Sequence, residues 1–242
     1  MEYERGANTE LDEASVIKTL ISVIILAVKY FVGVAISSTD VVDLVATTET
    51  KMSHHLIVHL PGIVFENNLV CGHLVRLLHQ ETRAFVEDGN TGTLFNDGEL
   101  TREQASLLFI RKSDGTKKFV SDLAVYMKNR QFRILDSSKF QKDNFLRIYP
   151  QSKYPLPTDA ESKLEKTLVC VSGEGCEVLR EASFIDNTQL PGPSRAKRPH
   201  LGNTSGSTAP PSSALDDFVL QFVRQSNPSA RLGSSHTFLD GQ

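Results

Sequence analysis

Apolar and polar positions change their period several times along the chain, and each change marks a predicted element. Val16 to Ile36, VIKTLISVIILAVKYFVGVAI, is the longest apolar run. Its spacing predicts a buried amphipathic helix with Ile17, Leu20, Ile21, Ile24, Ala27 and Val28 inward, ended by Gly33 and the Ser37-Ser38-Thr39-Asp40 cluster. The run is also long enough for a membrane span, but Lys18 and Lys29 interrupt it, so the buried helix is preferred and no membrane partner is expected. Lys51 to Leu60, KMSHHLIVHL, alternates as a strand before the breaker Pro61-Gly62. Met52, His54, Leu56, Val58 and Leu60 share one face; Ser53, His55, Ile57 and His59 share the other. Val70 to Leu78 has helical spacing, and Glu87 to Glu99, with DGNTG and NDG, reads as a loop or variable insertion. Leu107 to Ile110 and Lys118 to Val125 flank Ser113-Asp114-Gly115 as a hairpin, and Phe132 to Leu135 and Phe145 to Tyr149 read as further strands. A helix is expected from Asp159 to Thr167, opened by acidic residues.

Composition adds a boundary. The 242 residues are 40% hydrophobic, enough for a sizeable core. Asn187 to Leu215 holds five of the ten prolines among many Ser, Thr and Gly, and reads as a disordered linker. A short amphipathic helix, Asp216 to Gln225, follows it, and the tail from Asn227 carries no core signal. Cys71, Cys170 and Cys176 make neither a disulfide framework nor a zinc set, which points to a reducing compartment. The acidic, polar start MEYERGANTELDE excludes a secretory signal and a typical transit peptide. SRAKRPH reads either as a weak nuclear address or as a solvated basic cluster.

Charge changes the picture more. Net charge is only −3, yet Arg102 to Lys153 holds twelve Lys and Arg against five Asp and Glu, an excess of +7 that leaves −10 elsewhere. Such asymmetry points to a local anionic ligand. Within that region, Phe119 to Lys139 sets one carboxylate, Asp122, in an apolar run and follows it with Lys128, Arg130, Arg133 and Lys139. A carboxylate with spaced cations behind it suits a metal and a polyphosphate held together. The same pattern also describes an Asp at a strand end beside a solvated basic face. On the KMSHHLIVHL strand, Ser53 and His55 point the same way, about 7 Å apart at strand rise, which suits two contacts to one polyphosphate. A zinc-hydrolase reading of His55 and His59 fails, because position 56 is Leu and a strand would hold the rings about 13 Å apart.

These residues, in this order, resemble the primase-polymerases of the archaeo-eukaryotic primase superfamily. The likeness is closest in KMSHHLIVHL and FVSDLAVYMKNRQFRILDSSK, fainter in DDFVLQFV, and covers roughly the first 150 residues apart from the insertion near 80 to 105. Ser53-His54-His55 matches the family's S-x-H signature, and Val120-Ser121-Asp122 stands where an apolar-Asp signature belongs. Met1-Glu2-Tyr3-Glu4 looks like the tail of a D-x-E signature, with Glu2 as its Glu and the Asp absent. The resemblance implies an α/β fold: a mixed β-sheet with flanking helices, an archaeo-eukaryotic primase-like catalytic core, incomplete, with a disordered C-terminal part. Implied divisions are a partial core at 1–155, a peripheral helical and strand segment at 156–186, the linker at 187–215, and a short helix and tail at 216–242.

By resemblance, Glu2 and Asp122 would be catalytic and would hold Mn2+ or Mg2+, while Lys51, Ser53, His55, Arg130, Arg133 and Lys139 would bind the nucleotide. The implied activity is DNA-directed primase and polymerase chemistry, nucleotidyl transfer used in repriming and damage-tolerant synthesis at stalled forks. Losing the first-signature Asp is expected to impair it. Nucleoside triphosphates, a single-stranded DNA template and a single-strand-binding protein are the implied partners, in the nucleus and mitochondrial matrix. The family's zinc site has no counterpart in the sequence, so the chain is expected to be an internal piece of a longer protein, with an exposed sheet edge where an upstream strand would lie. The alternative is a non-catalytic nucleotide- or single-stranded-DNA-binding fragment.

Overall fold

A computed structural model describes residues 1–89, 94–95, 98–169 and 175–181. The proposed linker, the basic SRAKRPH, the Asp216 to Gln225 helix and Cys170 lie outside the described residues. The described part is α/β, and its centre is a four-stranded sheet in the order β1-β3-β2-β7. These strands are β1 (Glu2–Glu4), β2 (Val41–Val45), β3 (Lys51–Val58) and β7 (Arg147–Ile148). Every pairing in this sheet is antiparallel, with Glu2 opposite Ser53, Leu44 opposite His55 and Val45 opposite Arg147. The mixed sheet expected from the resemblance is therefore corrected. Among the described residues, parallel pairing is found in a separate two-stranded unit of β4 (Ile63–Phe65) and β8 (Glu177–Leu179).

The alternation read in KMSHHLIVHL explains why β3 is central. Met52 and Leu56 face a core built with α1 (Glu13–Ala27), α2 (Asn68–Asp88) and the hairpin of β5 (Phe109–Arg111) and β6 (Lys117–Phe119). Ile57 faces a second core with Val42, Leu44, Ala46 and Leu146. Both faces of the strand are thus covered, and even its polar residues Ser53 and His54 are buried.

The long apolar run becomes α1, capped by Asp12, whose side chain accepts from the Ser15 amide at 2.9 Å. Val16, Ile17, Leu20, Val23 and Leu26 enter the core. One wide turn, Val28–Val32, prolongs the helix until Gly33, at φ 78°, takes the left-handed conformation that ends it. By length and composition alone Glu13–Val32 would also suffice to cross a membrane. Its most apolar side is instead spent on the core, where Val16 and Val23 have no exposed surface.

Three strand expectations are corrected. Lys118 to Val125 is strand only to Phe119; Asp122 then caps a short 3-10 turn, Leu123–Tyr126, by accepting from the Ala124 amide at 2.9 Å. A side chain that satisfies local amides competes with the strand ladder and wins. Phe132 to Leu135 forms no strand, because left-handed Asn129 and Asp136 bend the chain on either side of it. Phe145 to Tyr149 keeps only the two residues of β7. The remaining helices, α3 (Arg102–Ser106) and α4 (Ala160–Glu165), are short, and Asp159 caps α4 as its acidic opening predicts. Nor is the sheet edge at β1 bare: the Glu2 amide, turned away from β3, donates to the Val120 carbonyl at 3.3 Å.

Candidate functional site

That bond brings the chain's start beside the segment carrying Asp122. Across β1 and β3, Glu2 stands opposite Ser53, and the Lys51 ammonium donates to the Glu2 carboxylate at 2.9 Å. Burial works to raise the Glu2 carboxyl, but the bond and charge of Lys51, with Lys139 and the Met1 amine, outweigh it and hold the group below its usual range. The charges of Glu2 and Asp122 both reach the buried Met1 amine.

His55 is the most telling side chain. Burial pushes its imidazole down to about 3, and the Met1 amine, Arg133 and Lys139 add to the effect. The ring is therefore neutral at physiological pH. It lies 4.4 Å, centre to centre, from the Phe132 ring, and its buried Nδ1 has no hydrogen-bond partner. Arg133, beside Phe132, is held by the Asn144 carbonyl at 3.4 Å, and its guanidinium feels burial first and Glu2 second. Glu2, Lys51, Ser53, His55, Arg133 and Lys139 thus gather around one side of β3, with Asp122 next to them through Val120. Arg130 is different: it is exposed, and no side-chain bond among the described residues ties it to the group.

Helix α2 fixes the Asp122 turn from behind, through residues the sequence reading passed over. His79 Nε2 and Ser121 Oγ share a 2.5 Å hydrogen bond, and the His79 ring lies 4.0 Å from that of Phe119. Burial, aided by Arg83, lowers the His79 imidazole to about 4, so a neutral ring makes this bond. Asn68 Nδ2 donates to the Met127 carbonyl at 2.9 Å. Gly72 leaves room for Tyr126, since a Cβ there would stand 2.6 Å from the Tyr126 Cβ. The VCGH tetrad carries part of this in the sequence as a glycine inside a helix, a sign of close approach.

No family model matches the chain. Curated relatives do match. A Danio rerio DNA-directed primase/polymerase protein is 27% identical over 246 residues, which cover 92% of this chain and 46% of the relative. The Mus musculus protein of that name is 26% identical over 263 residues, 93% of this chain and 48% of the relative. This chain is similar to the DNA-directed primase/polymerase proteins. It spans less than half the length of these relatives. The Homo sapiens DNA-directed primase/polymerase protein matches over a shorter stretch, 25% identical across 198 residues.

The divalent ions implied by the primase/polymerase likeness need several hard oxygen donors. Glu2 and Asp122 are of that type, but Lys51 engages Glu2 and the Ala124 amide engages Asp122. Among the described residues no three ligating side chains come together. Glu2 and Asp122 are two of the donors such an ion would need, and both are engaged by other groups of the chain. The basic and hydroxylic groups around His55, by contrast, match the chemistry of a phosphate chain.

Proposed function

We propose that the chain is the nucleotide-gripping part of a DNA-directed primase/polymerase core: it binds a nucleoside triphosphate and carries out nucleotidyl transfer poorly. The observation that carries this reading is the state of His55, a neutral, partly buried imidazole whose buried Nδ1 has no partner, in the field of Arg133 and Lys139. An unsatisfied buried polar atom is costly in a folded protein, and a phosphate oxygen accepting from it would remove that cost.

In this reading Ser53 and His55 donate to phosphate oxygens from the same face of β3. Arg133 and Lys139 neutralise the phosphates from the opposite wall, and Lys51 divides its charge between the ligand and Glu2. Arg130, exposed, joins only once ligand is bound. With Glu2 tied to Lys51 and Asp122 to the Ala124 amide, the chain's own groups account for binding and orientation, and bond formation is weak or lost. The two activities separate in one pair of measurements. Fluorescent triphosphate should bind the full chain and be released by excess unlabelled triphosphate, while primer extension with Mn2+ should give little product. Robust synthesis would overturn the impaired reading, and failure to bind would remove the grip.

A further inference from the structure

Between Ser53 and His55 stands a residue whose side chain turns to the other face. His54 has no exposed surface, and each ring nitrogen meets a carboxylate oxygen. Nδ1 lies 2.7 Å from Asp43 Oδ1 and Nε2 lies 2.7 Å from Glu13 Oε1. The carboxylates come from separate elements, Asp43 from β2 and Glu13 from the first turn of α1. A ring nitrogen and a carboxylate oxygen bond only with a proton between them, so this trio holds two protons and one net negative charge, however the protons divide. Arg5 pairs with Glu13 on its outer side, Thr47 Oγ1 donates to Glu13 at 3.3 Å, and the Tyr149 ring closes the third side edge-on at 4.9 Å. The backbone of His54 is equally committed. Its amide donates to the Met1 carbonyl at 3.0 Å, and its carbonyl accepts from the Met1 amine at 2.7 Å.

Stability alone does not account for this arrangement. The neighbours on the same face, Met52 and Leu56, are apolar, and buried ionic groups are often replaced by well-packed apolar ones at no loss of stability. Asp43 also leaves Oδ2 buried without a partner, a standing cost. What the polar trio supplies is direction: two short bonds, added to the ladders on both edges of β3, fix the strand's rotation about its axis more tightly than apolar contacts would. Burial drives the Asp43 carboxyl upward, against the pull of the His54 hydrogen bond and charge.

We propose that Glu13, His54 and Asp43 form a positioning brace that sets the angle at which Ser53 and His55 present themselves to a triphosphate. The proposal rests on the nucleotide reading above, and its test has one arm that does not. The first arm follows the ring resonances of 15N-labelled histidines in the full chain without nucleotide. Glu13→Gln and Asp43→Asn should each shift the His55 signals, although neither residue bonds to His55. The second arm titrates deoxyadenosine triphosphate. Each variant should lose about tenfold in affinity, the size of one charge-assisted hydrogen bond, and the double variant should lose less than the product of the two. Unmoved His55 signals, with affinity within about twofold of the parent and only the melting temperature lowered, would overturn the brace and leave the trio as structural support. Shifted signals in a protein that binds no triphosphate would sink the nucleotide reading and leave the brace standing. Glu13→Gln is the variant to rely on if Asp43→Asn does not fold, because the Glu13 side chain keeps 21% of its surface in solvent.

Discussion

His54 and His55 are neighbours on one strand with opposite fates. His54 is sealed, with both ring nitrogens bonded to carboxylates and its backbone paired to Met1. His55 is only partly buried, yet its Nδ1 is buried and unpartnered, and most of the charges around it are cationic. The lesson lies in the sign and completeness of the partners. A satisfied buried histidine braces a fold, whereas an unsatisfied ring nitrogen near Arg and Lys is free to donate to an anion.

The harshest way to break this comparison is to remove the sealed member. His54→Leu takes the centre from the trio and leaves the Asp43 carboxylate, 3% exposed, facing Glu13 with nothing between them. Breaking a buried pair in this way costs about 3–5 kcal/mol, and urea denaturation should show a midpoint lowered accordingly. An unchanged midpoint would mean that the trio is already dispensable. His55→Leu should do the reverse: stability is kept or raised, since the orphaned nitrogen goes, while triphosphate binding falls.

Next in size comes Arg133→Ala. Charge-assisted hydrogen bonds contribute about 1.5–3 kcal/mol, so titration of a triphosphate should register a loss of roughly ten- to a hundredfold. The same variant should leave the melting temperature nearly unchanged, since the bond of Arg133 among the described residues is the long one to the Asn144 carbonyl.

Acid probes His55 more gently, and His79 with it. Burial holds His55 at about 3 and His79 at about 4, against an ordinary 6.5 in the unfolded chain. Between those limits the unfolded chain takes up protons that the folded one refuses, so stability is full above 6.5 and declines as pH falls through the window. Thermal unfolding at stepped pH should show this decline, and His55→Gln should flatten it by one proton's share. Bound triphosphate should also flatten it, because an anion beside His55 favours the charged ring.

The faces of β3 were legible in the sequence, because alternation is a local signal: Met52, His54 and Leu56 on one side and Ser53, His55 and Ile57 on the other. The helix over the apolar run and the hairpin around Ser113-Asp114-Gly115 were readable for the same reason. What was not legible depends on partners distant in the chain. Nothing near His54 announces Asp43, eleven residues back, or Glu13, forty-one back. His79 and Ser121, forty-two residues apart, meet only because α2 packs over the Asp122 turn. Asp122 itself reads as a strand residue because its neighbours are apolar, and its oxygen decides otherwise by taking the Ala124 amide. Asn129 and Asp136 similarly break an apolar stretch that composition favours as a strand.

Arg130 offers the finest test, because the sequence ranks it with Arg133 and the structure does not. Three residues apart on one face of a helix, the two guanidiniums would be comparable ligands. The left-handed turn at Asn129 instead leaves Arg130 in solvent, while Arg133 is half-buried and within the field of Glu2. An exposed cation acts on a bound phosphate through water and salt, which limits it to about 0.2–1 kcal/mol. Arg130→Ala should therefore weaken triphosphate binding by no more than about fivefold. That loss should vanish at high salt, whereas the deficit of Arg133→Ala should persist. Equal losses in the two variants, with equal salt dependence, would mean that the segment from 127 to 139 rearranges around the ligand and that the free positions of these side chains do not govern binding.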